Sequence, residues 1–181
     1  MVLETDRLWL REMGKPDYPS LCGILQDEEA MYAYEGAFSD AEAQDWLDKQ
    51  MRNYKELGFG LWAVMLKGAA ALSEGADGMI GQCGLTMQDY RGRQVLEVGY
   101  LFQKAFWGSG FATEAAAACR DFAFEKLDAA EVFSIIRDTN TASQSVARRI
   151  GMTVADKFIK HYRGVDMPHF LFSAKRPEAA I

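Results

Sequence analysis

The stretch Glu97-Val98-Gly99-Tyr100-Leu101-Phe102-Gln103-Lys104-Ala105-Phe106-Trp107-Gly108-Ser109-Gly110-Phe111-Ala112-Thr113-Glu114 decides how the rest of the chain reads. An apolar run ends at Phe102, a short connection follows, and two glycines open a run of helix formers. A strand that feeds a glycine turn at a helix start leaves several N–H groups without intrahelical partners, all pointing one way. The positive end of the helix dipole adds to their pull on an anion. Gly108 and Gly110 remove side chains that would hold a diphosphate away, and Ala112 lets the backbone come close on the helix side. The same two glycines also satisfy a plain tight turn. Two other phosphate loops are excluded. A G-x-x-x-x-G-K-[ST] loop needs a lysine after the glycines, and none follows. A G-x-G-x-x-G fingerprint needs a third glycine where Thr113 stands, and a purely parallel β-α-β start is absent.

Outward from this turn, Leu3 to Leu10 reads as a first strand and Asp17 to Gln26 as a short helix after Pro16. Ser39, with Asp40 and Glu42 behind it, is the N-cap expected of a longer helix that stops by Gly58. Its Trp46, Leu47, Met51 and Tyr54 fall at helical spacing and read as core. Phe59–Leu66, Met79–Met87 and Val95–Phe102 read as strands, the first two joined by a long hairpin loop from Gly68 to Gly78. Phe111 to Leu127 is a helix with Phe111, Ala115, Ala118 and Phe122 on one face, and Glu131 to Arg137 is a strand. Thr141 to Ile150 is a helix ended by Gly151, and Phe158-Ile159 and Phe170 to Phe172 mark closing strands around Arg163-Gly164. The order β-α-α-β-β-β-α-β-α-β-β describes an α+β domain, three-layer α/β/α-like, with a largely antiparallel sheet. Its strand–helix–strand unit is expected to be a right-handed parallel crossover.

The 181 residues are 49% apolar and 25% charged, enough for one full hydrophobic core. A net charge of −6 with no basic run excludes non-specific binding to nucleic acid or anionic membrane. That acidity fits solubility, and it tolerates a cationic substrate. Cys22, Cys83 and Cys119 are odd in number and widely spaced, so no disulfide framework or zinc site is expected. His161 and His169 lack a Cys or carboxylate at metal-ligand spacing, so no metal is expected there either. No basic-then-apolar leader and no apolar run of membrane-spanning length is seen, which points to the cytoplasm.

Trp107-Gly108-Ser109-Gly110-Phe111-Ala112 resembles the pyrophosphate motif Q/R-x-x-G-x-G/A of the GNAT superfamily of N-acetyltransferases, with Trp107 in place of the Gln or Arg. Ala112-Thr113-Glu114-Ala115 and the opening Leu3-Glu4-Thr5-Asp6-Arg7-Leu8 are similar to the RimJ/RimL branch. Asn140-Thr141-Ala142-Ser143, with Val146 and Ile150-Gly151-Met152, resembles the family's N-x-x-S-x-x-V…(L/I)-G-(F/M) helix. The three matches run in order from Leu3 to about Ser173. They imply a GNAT fold over residues 1–176, a single N-acetyltransferase domain, with 177–181 as a short tail. They also imply a splayed central sheet, acetyl-CoA as cosubstrate, and direct attack by a primary amine in a ternary complex. The acceptor would be a small-molecule amine or a protein N-terminus, and the protein a monomer or homodimer.

By that resemblance, main-chain groups of Tyr100, Leu101 and Phe102 pair with the pantetheine arm. Trp107, Gly108, Ser109, Gly110, Phe111 and Ala112 take the diphosphate, and Asn140 and Ser143 flank the cofactor. Acyl transfer to an ammonium needs a base, and Glu97 matches the strand glutamate some members use. Its other reading is an ion-paired or solvent-facing strand residue. Many members carry an acidic Tyr seven residues after the helix Asn, where this chain has Ala147; Ser143, which matches a serine implicated in the RimL-like branch, is the alternative proton donor to the thiolate, with Tyr100 and Tyr162 as further candidates. Asn140 and Ser143 also read as helix-start caps. Tyr32, Tyr34, Glu35 and Tyr162 are the acceptor-side candidates, with a surface turn as the other reading of Tyr162. Ala147 keeps a different class open, a non-catalytic acyl-CoA-binding sensor.

Overall fold

The computed structural model describes residues 1–68 and 78–177; most of the loop expected between Gly68 and Gly78, and the final residues of the tail, lie outside them. β1 (Leu3–Glu4) and β2 (Leu8–Arg11) are antiparallel neighbours. One strand from Leu3 to Leu10 is therefore corrected to a small hairpin. The break is chemical. Thr5 N–H donates to the Leu8 carbonyl at 3.0 Å, and Leu8 N–H returns a bond to Thr5 Oγ1 at 3.0 Å, so the Thr5 side chain closes a turn where the strand would have continued.

α1 (Tyr18–Leu25) follows a one-turn 3-10 segment, and α2 (Asp40–Glu56) starts with a full capping box. Ser39 Oγ accepts from Glu42 N–H at 3.3 Å while the Glu42 carboxylate accepts from Ser39 N–H at 2.8 Å. β3 (Leu61–Leu66), β4 (Met79–Tyr90) and β5 (Arg93–Phe102) form an antiparallel meander. α3 (Phe111–Glu125) then crosses over to β6 (Glu131–Arg137), which is parallel to β5. α4 (Thr141–Arg149) ends in a Schellman motif: Gly151, at φ +82°, donates to Arg148, and Met152 N–H reaches Ala147 at 3.0 Å. The hairpin of β7 (Thr153–Tyr162) and β8 (Val165–Lys175) closes an eight-stranded sheet in the order β1-β2-β3-β4-β5-β6-β8-β7. The result is the expected α+β architecture: a mixed sheet with helices on both faces.

Period-two alternation fixes which face each side chain serves. Cys83 pairs with Tyr100 and touches Cys119 of α3, so Trp62, Cys83 and Tyr100 face α3 and α4. Their sheet neighbours Gln82, Thr86, Glu97 and Leu101 face the other way, where Gln82 meets Trp46 of α2. Gly84 lies on this second face, where a Cβ would come within 2.0 Å of the Gly60 carbonyl; only glycine lets the β3 approach pass. On α3 the fully buried stripe is Ala115, Ala116, Cys119 and Ala123, a shift from the expected Phe111, Ala115, Ala118, Phe122 face. With alanines on every side of that helix, apolar periodicity locates the stripe poorly, and the buried thiol fixes it. Among the described residues no helix is long and apolar enough to cross a membrane.

Candidate active site

The β5–β6 ladder holds only at Glu97 opposite Phe133. Next to it Ser134 Oγ donates to the Val98 carbonyl at 2.8 Å, and beyond that the pairing ends. A cavity of about 310 Å³ opens there, a volume suited to a small ligand. Val98, Gly99, Tyr100 and Leu101 line one wall, and Ser134, Ile135, Ile136 and Arg137 the other. The Val98 carbonyl faces β6, so alternation aims the main-chain groups of Tyr100 and Phe102 into the gap and those of Leu101 toward β4. The Phe102 carbonyl is taken by the Trp107 indole at 2.8 Å.

Glu97 sits at the head of the gap. One carboxylate oxygen accepts from Ile135 N–H at 3.0 Å and the other from Thr86 Oγ1 at 3.2 Å. Burial pushes its pKa above the ordinary glutamate value, against the opposing pull of the Ile135 N–H and of the Lys160 charge. A carboxylate so placed is oriented and more basic than one in water. The phenols of Tyr34 and Tyr100 are held neutral by burial. Tyr100 donates to the Ser143 carbonyl at 3.1 Å. His169 is shifted down by desolvation and stays a neutral imidazole. Its Nδ1 lies 2.9 Å from the Met167 carbonyl, so that nitrogen carries the proton and Nε2 is left as an acceptor.

At the start of α3 the turn is built as anion cradles are. Gly108 and Gly110 adopt φ +73° and +81°, a region that costs other residues about 1 kcal/mol or more. The first intrahelical bond runs from Glu114 N–H to the Gly110 carbonyl at 3.1 Å. Among the described residues, the N–H groups of Gly108, Ser109, Gly110, Phe111, Ala112 and Thr113 have no acceptor. The hairpin turn braces this loop: Arg7 donates to the Ser109 carbonyl at 3.0 Å and pairs with Glu114 at 2.6 Å, while Thr5 Oγ1 donates to Glu114 at 2.6 Å. Arg7 thus brings a guanidinium, half exposed, to the loop's side.

The structure brings Glu97, Tyr100, Leu101, Asn140, Ser143, Tyr34 and Tyr162 to one cavity. Tyr32 and Glu35 are not among its lining; Glu35 pairs instead with Arg137 at 2.5 Å, and the Tyr32 carbonyl accepts from the same guanidinium. Asn140 caps α4, its Oδ1 accepting from Ser143 N–H at 3.0 Å. Ala147 is buried in the core. Sequence reasoning gave no site role to Trp46, Lys49, Thr86, Gln88, Lys160 and His169, which also line the cavity. Trp46 was read as core; it packs there and borders the cavity as well, its indole held by Gln82 at 2.9 Å. Trp46, Lys49 and Gln50, spaced at i, i+3 and i+4 on α2, carried a usable signal. Lys160 and His169 carried none, because only the β7–β8 register brings them here. Among the described residues no group of three or more His, Cys, Asp or Glu could hold a metal ion.

Residues 7–153 match the family model described as an acetyltransferase (GNAT) domain. The chain belongs to the GNAT family of acetyltransferases. Protein YkkB of Bacillus subtilis, which has no assigned function, is 35% identical over 151 residues, 83% of this chain and 84% of that one. An N-acetyltransferase of Bacillus licheniformis known as p20, also without an assigned substrate, is 31% identical over 147 residues, 78% of this chain and 76% of its own. Among solved structures, a GNAT acetyltransferase from Bacillus anthracis superposes with a TM-score of 0.79 at 21% identity, covering 97% and 98% of the two chains. A RimL ribosomal-protein alpha-N-acetyltransferase in complex with coenzyme A superposes at 0.75 and 15% identity over 96% and 97%. At those identities the likeness is one of fold.

Proposed function

We propose that this chain, as one catalytic domain over residues 1–176, is an acetyl-CoA-dependent N-acetyltransferase acting on a primary amine in a ternary complex. The observation that carries the reading is the open edge of β5. Main-chain groups of Tyr100 and the Phe102 N–H lie open along it, between the glycine turn and a buried, basic carboxylate. Acetyl-CoA would supply an activated acyl carbon. The N–H groups from Gly108 to Ala112 hold the diphosphate, and Tyr100 and Phe102 present main-chain groups to the pantetheine arm in the manner of an added strand. Asn140 and Ser143, at the start of α4, flank the same gap.

Glu97 takes the ammonium proton, directly or through one water, and so frees the nitrogen lone pair. As the new C–N bond forms the C–S bond breaks, the nitrogen sheds its second proton, and Ser143 Oγ would relay a proton to the departing thiolate as it takes that one up. Holding amine and thioester together in a closed cleft supplies much of the acceleration. The test follows free thiol as the protein is incubated with acetyl-CoA and a panel of primary amines. Stoichiometric thiol release with an N-acetylated product is expected. Tight CoA binding without release for any amine would leave the sensor reading standing instead.

A further inference from the structure

We propose that the acceptor is an amine that also carries a carboxylate, bound with its nitrogen toward Glu97 and its carboxylate toward Lys160. The turnover readout rests on the acetyl-transfer reading above; the binding readout does not.

The charges in the cavity wall do not balance. Glu97, Arg137, Lys49 and Lys160 line it. Arg137 is matched by Glu35 at 2.5 Å. Lys160 has no acidic partner within ion-pair distance among the described residues, although it is half buried on β7. Glu97 feels the Lys160 charge but makes no ion pair with it, its oxygens accepting instead from Ile135 and Thr86. Lys49 adds a second ammonium at the exposed rim, without an ion-pair partner among the described residues. His169 stays neutral and offsets nothing.

Alternation places Lys160 with Phe158 and Tyr162, whose rings meet His169 and Tyr34. That is the α2 side of the sheet, which Glu97 also faces. The main-chain cradle at α3 belongs to the other layer, so Lys160 is not needed for the diphosphate. A half-buried ammonium without an ion-pair partner is costly, and a ligand carboxylate in direct contact lowers that cost. An acceptor with several positive charges, such as a polyamine or an aminosugar antibiotic, would add repulsion beside two lysines with one carboxylate to compensate. The cavity's volume of about 310 Å³ suits a head group the size of one amino acid. A free amino acid and the acidic first residue of a peptide present the same chemistry.

The experiment uses matched pairs compared at equal free-amine concentration. 4-Aminobutyrate is set against its amide, L-glutamate against L-glutamine amide, and a tripeptide amide beginning with Asp against one beginning with Asn. Spermidine is the cationic control. kcat/KM for the carboxylate member is expected to be higher by about tenfold, the effect of one partly buried charged hydrogen bond. Lys160→Met brings the ratio close to one, and Lys160→Arg keeps it. Preference in the amino-acid pairs but not the peptide pair identifies a free small molecule as the source, and the reverse identifies an N-terminus. Equal turnover within every pair, a preference for spermidine, or a ratio untouched by Lys160→Met overturns the proposal while acetyl transfer stands. Calorimetry on the CoA-loaded protein supplies the separate readout. Lys160-dependent binding of the acidic amines without thiol release keeps the proposal and removes the catalytic reading, and absence of both binding and turnover removes the two together.

Discussion

The glycine turn and the acceptor cavity meet along β5 but are made in opposite ways. The turn takes six consecutive residues, Gly108 to Thr113, and uses their main chain. Its chemistry needs little from side chains beyond their absence. The cavity takes residues from Ala30 to His169, drawn from α2, α4, six strands and the connection before α2. A site made of consecutive backbone can be kept while everything around it changes, and so it marks a family. A site assembled from distant side chains can change one residue at a time, and so it sets what the family member acts on. The sharpest way to break this contrast is to put a charge into the turn. Gly110→Glu places a carboxylate where a diphosphate is to sit, and like-charge contact of that kind costs several kcal/mol. CoA affinity is expected to fall by about a thousandfold in calorimetry. Gly110→Ala is the control: it strains a φ of +81° and brings a methyl 3.4 Å from Arg7, but adds no charge. Its main loss should be in Tm. Equal CoA affinity for wild type and Gly110→Glu would move the cofactor elsewhere.

On the cavity side the largest effect belongs to Glu97. Glu97→Gln keeps an oxygen for Ile135 N–H and an isosteric shape, so the head of the gap stays closed, but the base is gone. Turnover at neutral pH is expected to drop by about a hundredfold or more, with CoA affinity within twofold of wild type. The two substitutions thus separate the regions: one removes binding, the other removes chemistry.

The pH profile sharpens the same point. Glu97 must be ionised to act, and its pKa lies above the ordinary value, so activity falls as pH drops through a range higher than an exposed glutamate would give. The groups that face it are Lys160 on β7, His169 on β8, Arg137 on β6, Thr86 and Gln88 on β4, Lys49 on α2, and the phenols of Tyr34 and Tyr162. Lys160 favours the charged carboxylate, so Lys160→Met should move the acidic limb of kcat/KM to higher pH. His169→Gln, which removes the other group able to gain charge on acidification, should leave that limb in place. A limb that vanishes with His169→Gln and survives Glu97→Gln would make the imidazole the base.

The same contrast explains what could be read in advance. The turn, the capping box at Ser39 and the Gly151 stop are local, each written in a few adjacent residues, and the structure has all three. The hairpin at Thr5 escaped because Leu3 to Leu10 is apolar enough for one strand. What breaks it is a bond from the Thr5 side chain, steadied by Glu114 more than a hundred residues away. Glu97 was suggested only by its match to a strand glutamate of some family members, and the structure sets it in the cavity wall. Lys160 was not legible, since β7 pairs with β8 and reaches Glu97 only through β8 and β6. Tyr32 and Glu35 lie outside the cavity lining for a related cause: proximity in sequence to Tyr34 said nothing of Arg137, which pairs with the Glu35 side chain and donates to the Tyr32 carbonyl.

The smallest effect tests a residue that joins the two regions. Asn140 caps α4 through its Oδ1, and losing such a cap costs about 1 kcal/mol. In a chain of this size that is a fall in Tm of about 2–4 °C. Asn140→Ala should show it. Asn140→Asp should not, because aspartate accepts from Ser143 N–H equally well at a helix start. If the amide also donates to the pantetheine arm, both variants weaken CoA by a few fold, the aspartate without any loss of Tm. CoA affinity that follows Tm, falling with alanine and recovering with aspartate, would reduce Asn140 to a cap and leave the cradle at α3 to hold the cofactor with the β5 edge alone.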